Sequence, residues 1–143
     1  MMKMLCALLT ACACALLLMT GCDKKPSADA VPATADKVQS AVLELDDTTF
    51  AAQTAQGVVL VDFWAPWCPP CRMQGPIVDA VAKQLGSTAK VAKVNVDNAK
   101  ATAQAFGVRS IPTLVVLKDG KTVKSFTGLT QADALVAAVK DAL

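Results

Sequence analysis

Val59-Leu60-Val61-Asp62-Phe63-Trp64-Ala65-Pro66-Trp67-Cys68-Pro69-Pro70-Cys71-Arg72 is the stretch around which the rest of the chain is organised. Val58–Phe63 is continuous, apolar and β-branched, the pattern of a central strand covered on both faces. The run ends in a turn carrying two cysteines, and a helical pattern then begins. Two thiols separated by two residues at a helix start can close a disulfide within one turn. The first would occupy the N-cap, where free N–H groups and the helix dipole favour a thiolate. A Cys-x-x-Cys pair beside alternating strand and helix patterns is a redox signature.

Outward from this stretch, Ala41–Leu45 reads as a first strand and Thr48–Gln56 as a short helix, with Asp46, Asp47 and Thr48 as candidate N-caps and Gly57 as its stop. Met73, Ile77, Val81 and Leu85 recur every four residues and predict one buried helix face, with a kink expected at Pro76. Ala89–Val96 alternates as a strand, and Ala99–Phe106 gives a helix ended by Gly107. Thr113–Leu117 and Thr122–Thr127 flank Asp119-Gly120, a two-residue hairpin turn. Thr130-x-x-Asp133 predicts a capping box for a last helix whose Leu135, Val136, Val139 and Leu143 face inward. The resulting order β-α-β-α-β-α-β-β-α implies an α/β domain: a mixed sheet of about five strands with helices on both faces.

The 143 residues suffice for one domain with a core. Their 54% hydrophobic content is inflated by the first 21 residues. Lys3 precedes an uncharged, Leu- and Ala-rich run from Met4 to Met19, the pattern of a signal peptide. An uncleaved membrane helix is the alternative, but the run is short for it. Leu18-Met19-Thr20-Gly21-Cys22 resembles a bacterial lipoprotein box, which implies cleavage before Cys22 and a lipid on Cys22. Residues 22–40 then read as the lipidated cysteine and a flexible tether spanning roughly 25 Å, and residues 41–143 as the domain. Asp23 resembles the signal that in some bacteria holds a lipoprotein at the inner membrane.

Cysteines stand at positions 6, 12, 14, 22, 68 and 71. A lipid on Cys22 leaves a single pair after cleavage, Cys68 and Cys71. With no His in the chain and no second pair, a four-ligand Cys/His zinc site cannot be assembled, so no metal is expected. The formal net charge is only +2, without a basic stripe, so nucleic acid is not an expected partner.

Val-Asp-Phe-Trp-Ala followed by Trp-Cys-x-Pro-Cys resembles the active site of the thioredoxin family, and the order of elements resembles the thioredoxin fold. The resemblance implies a thiol–disulfide oxidoreductase without a cofactor, working as a monomer. Cys68 would be the nucleophile and Cys71 the resolving thiol. Asp62 would lie beneath them and move protons, with Lys93 tuning it; a solvent-facing Asp62 and an ordinary exposed Lys93 are the alternatives. Ile111-Pro112-Thr113 matches the family's cis-proline loop, whose backbone pairs with an extended substrate. Trp67, Pro66 and Gly128 would complete the docking surface, with Trp64 either joining them or packing into the core.

Pro69-Pro70 replaces the family's usual Gly-Pro. A residue before proline is pushed from helical geometry, so either Pro69 is strained at the first helical position or the helix starts one residue late.

Together these readings imply a lipid-anchored reductase of the bacterial envelope, on the periplasmic face of the inner membrane. Oxidised envelope proteins would be its substrates and a transmembrane thiol carrier its electron donor. Two alternatives remain open: a disulfide-forming oxidant using the same site, and a binding or chaperone module using only the apolar face around Trp67.

Overall fold

The computed structural model describes residues 42–143. The expected signal peptide of 1–21 and the expected lipidated Cys22 and tether of 22–40 lie outside the described residues. Among those described, no helix is long and apolar enough to cross a membrane.

The elements run β1 (Leu43–Leu45), α1 (Phe50–Thr54), β2 (Val58–Trp64), α2 (Pro69–Leu85), β3 (Lys90–Asn95), α3 (Lys100–Ala105), β4 (Thr113–Lys118), β5 (Lys121–Thr127) and α4 (Ala132–Ala142). The sheet order is β1-β3-β2-β4-β5. The first three strands are parallel, whereas β4 and β5 are antiparallel to their neighbours. β2 is central and buried on both sides, as its unbroken apolar run requires.

Alternation along the strands sorts the core into two layers. Val58 and Leu60 of β2, Val91 of β3, and Leu114 and Val116 of β4 pack under α2 and α4 with Val78, Val81, Leu135 and Val139. Val59, Val61 and Phe63 face the other way, with Ala92, Val94, Val115 and Leu117, toward α1 and α3. There Phe50, Phe63 and Phe106 form an aromatic trio with ring centroids 5.1–6.4 Å apart. The hairpin turn uses Asp119 (φ 48°) and Gly120 (φ 75°), both left-handed as a two-residue turn of this type requires.

Three local expectations give way. The inner face of α2 is Cys71, Gln74, Val78, Val81, Ala82 and Leu85, while Met73 is exposed. A strict four-residue repeat drifts about 40° per step around a 3.6-residue helix, so Met73 and Leu85 do not share a face. The capping box does not form: α4 has Gln131 as N-cap without a side-chain bond. Thr130 lies one residue earlier and donates its hydroxyl to Gly128 O instead. Leu143, at the end of α4, is exposed, and Ala138 and Ala142 complete that helix's inner face.

Candidate functional site: a dithiol at the head of α2

The direction of the strands gathers the site. Phe63 near the end of β2 pairs with Thr113 at the start of β4, and Trp64 with Asn95 at the end of β3. Thr113 also pairs with Thr127 at the end of β5. The connections after β2, β3 and β5, and the one before β4, therefore meet at one pole of the sheet.

The chain turns after β2, with Cys68 N donating to Ala65 O at 3.2 Å. Cys68 takes extended geometry (φ −91°, ψ 107°) and is the N-cap of α2, which starts directly at Pro69 with Pro70 next. The late-start alternative is therefore not adopted. Neither proline has an N–H, and neither position needs one within the helix. The first amide able to reach back is that of Cys71, and Cys71 N donates to Cys68 Sγ at 3.2 Å. Cys68 and Cys71 are joined as a disulfide. Both are buried, packed with Ala65 and flanked by Trp64, Val96 and Ile111.

Asp62 projects from β2 into the α2/α4 layer and is 1% exposed. Its Oδ1 is buried with no hydrogen-bond partner among the described residues. Burial pushes its pKa up to about 7; the Lys93 charge pulls the other way, and Glu44 and Asp79 add to the rise. Lys93 is paired with Asp62 in the β2–β3 register. Its ammonium, however, bonds Asp79 Oδ1 of α2 at 2.9 Å. Lys93 thus influences Asp62 through space while its hydrogen bond goes elsewhere.

On the other side of the disulfide, the Ile111–Pro112 peptide is cis. Ile111 O lies 3.7 Å from Cys68 Sγ. Pro112 O in turn accepts from Gly128 N at 2.8 Å, where the left-handed backbone of Gly128 (φ 87°) turns the chain back. Trp67 is 64% exposed, and its Nε1 donates to Asp97 Oδ2 at 2.9 Å. Trp67, Val96, Val108, Arg109, Ser110 and Ile111 line a cavity of about 360 Å³. Pro66 is exposed beside Trp67. Trp64 is half-buried against the disulfide with its Nε1 buried and unpartnered among the described residues, which places it in the packing beneath the site.

The structure therefore brings Cys68, Cys71, Trp67, Ile111, Pro112 and Gly128 to one pole, while Asp62 is buried near the end of β2, two residues before Trp64. Cys22 lies outside the described residues. Sequence reasoning missed Asp97, the partner of Trp67, and Gln74, which lies on the buried face of α2 at helical spacing from Cys71, Val78 and Val81. Among the described residues no three Cys, Asp or Glu cluster as a metal site.

A family model described as Thioredoxin matches residues 41–141. Over 95 residues the chain is 45% identical to the thioredoxin of Bacillus subtilis, a match covering 66% of this chain and 91% of that protein. The thioredoxin of Haemophilus influenzae is 43% identical over 91 residues, covering 62% of this chain and 85% of the relative. Among solved structures, a mutant thioredoxin from Halobacterium salinarum superposes with a TM-score of 0.68 at 38% identity, covering 75% of this chain and 95% of that one.

Proposed function

Because the chain belongs to the thioredoxin family, we propose that it reduces disulfides of proteins in the bacterial envelope, from a lipid anchor on Cys22. Its reaction class is protein-disulfide reduction of the thioredoxin type. The observation carrying the reading is the Cys68–Cys71 pair at the head of α2, faced by Ile111 O, with a buried carboxylate, Asp62, on the strand that leads into it.

In the reduced chain the Cys68 thiolate attacks one sulfur of a substrate disulfide. A Cys68–substrate bond forms, the substrate disulfide breaks, and the departing sulfur takes up a proton. Asp62, ionised, accepts the Cys71 proton. The Cys71 thiolate then attacks Cys68 Sγ, closing the Cys68–Cys71 disulfide and expelling the second substrate sulfur as a thiolate, which takes up a proton. Two electrons have passed to the substrate, and a transmembrane dithiol carrier restores them. Ile111 and Pro112 hold the substrate as an added extended segment, with Trp67, Pro66 and Gly128 beside it.

The direction of the reaction has its own support. Stabilising the thiolate favours the reduced pair and makes an oxidant. Here Pro69 and Pro70 donate nothing, and the Cys71 amide is the one helix N–H bonded to Cys68 Sγ.

The test is the potential of the pair against glutathione, in the full chain with Cys6, Cys12, Cys14 and Cys22 changed to Ser. A value near that of thioredoxins generally, about −270 mV, supports reduction; one near the strong periplasmic oxidant, about −120 mV, overturns it.

A further inference from the structure

Gln74 is completely buried in α2, three residues beyond Cys71. A primary amide in a core is costly unless both its ends are bonded. Both ends of Gln74 go to one residue of another element. Its Nε2 donates to Thr130 O at 3.0 Å, and its Oε1 accepts from Thr130 N at 2.8 Å. The side chain thus imitates a strand rung, holding the backbone between β5 and α4. Thr130 precedes the N-cap of α4, so neither bond duplicates one the helix would make.

The same short segment is held at its other end, where Gly128 N bonds Pro112 O at 2.8 Å. Between the two anchors lies Leu129, an apolar side chain left 46% exposed. The contacts close a ring around the disulfide. Cys68 Sγ lies against Ile111 O, Pro112 O is tied to Gly128, Thr130 is tied to Gln74, and Gln74 follows Cys71 by one helical turn.

We propose that Gln74 is a positioning residue that fixes Gly128–Thr130 as the third wall of the substrate groove. Leu129 then meets an apolar side chain of the substrate segment that pairs with Ile111. The inference rests on the reading of the chain as a protein-disulfide reductase. Gln74 touches neither sulfur, so its effect falls on substrate affinity rather than on thiol exchange.

The test is steady-state reduction of insulin by the full chain. Gln74→Met keeps an unbranched side chain of similar volume and removes both bonds to Thr130. It should raise KM about fivefold while kcat stays within about twofold. Leu129→Ala should raise KM in the wild-type background and add nothing to Gln74→Met, because the two act through one wall. Gln74→Glu supplies a rescue by pH. A protonated carboxyl can donate to Thr130 O and accept from Thr130 N, whereas a carboxylate cannot donate. Its KM relative to wild type at the same pH should approach unity in acid and climb toward alkaline pH.

A fall in kcat at constant KM, or an unchanged KM in folded Gln74→Met, overturns the proposal. Additive effects with Leu129→Ala do the same. If Gln74→Met does not fold, a Gln74→Glu KM ratio that ignores pH overturns it. Wild-type chain unable to reduce insulin overturns the functional reading and this inference together, a failure distinguishable because it appears before any substitution.

Discussion

Asp62 is the residue at which stability and activity pull apart. Its carboxyl is buried on the central strand, and burial raises its pKa to about 7. Unfolded, the same carboxyl ionises at its ordinary value of 3.8. Between those values the folded chain holds a proton that the unfolded chain has lost, so stability declines as pH rises through the window. The penalty has an upper bound on the order of 4 kcal/mol at pH above 7. Asp62→Asn should therefore melt at a higher temperature than wild type at pH 8, and the gap should close toward pH 4, as followed by thermal unfolding. In the proposed mechanism the same substitution removes the proton acceptor for Cys71, and resolution of the mixed disulfide should slow roughly tenfold to a hundredfold near neutrality. Release of a labelled substrate measures that step, and an unchanged rate would remove Asp62 from the mechanism. The strand that carries Asp62 was legible in the unbroken run of β2, but its burial was not. A run covered on both faces does not say which way a carboxylate turns, and only the family resemblance favoured the inward side. The destination of the Lys93 ammonium was not legible either: register places Lys93 beside Asp62, but a long flexible side chain takes the carboxylate it can reach, here Asp79.

At the scale of elements, the short helices depend on carboxylates from outside themselves. Asp46 lies before α1, where its Oδ1 accepts from the amides and hydroxyls of Thr48 and Thr49 at 2.7–2.9 Å. The Thr48 hydroxyl leads the interactions that hold its pKa down at about 2. Asp47 reaches across to α3, accepting from Thr102 N and Thr102 Oγ1 at 2.7 and 2.6 Å, and from Ala101 N at 3.2 Å. Its pKa is lowered chiefly by the Thr102 hydroxyl. A depressed carboxylate stabilises the fold above its unfolded pKa and loses that contribution as pH falls through the folded value. Asp47→Ala should thus lower Tm by several degrees at neutral pH, with a difference that shrinks as pH falls below the ordinary carboxylate range. A difference independent of pH would mean that the charge does not matter. The sequence marked both aspartates as caps for the helix beside them. Asp47 serves a helix more than fifty residues away, which no local pattern encodes. In the same way, spacing by fours picked Met73 in place of Gln74, because α2 turns by 3.6 residues and three such steps from Leu85 are enough to leave the buried face.

For the whole molecule, the order of elements along the chain could be read from the alternation of patterns and the Asp119-Gly120 hairpin, whereas the order of strands across the sheet could not. Nor could the convergence at one pole, because it depends on β4 running against β2, and that follows from tertiary pairing. The segment before residue 42 carries the proposed anchor, and the prediction there is compartmental. Cys22→Ser should move the chain from the membrane fraction to the soluble envelope fraction without altering its potential. Retention in the membrane would overturn the lipid on Cys22.

The two prolines between the cysteines have a further consequence. Each ring fixes its own backbone torsion whether the sulfurs are joined or free. In the open dithiol the loop has little freedom to explore, so closing the ring forfeits little entropy. Electron delivery then breaks the covalent link while the Cys71 N–H contact, already made in the disulfide, and the main chain stay in place. Reorganisation between the two oxidation levels is therefore small, and the loop that carries the sulfurs is the same track for both.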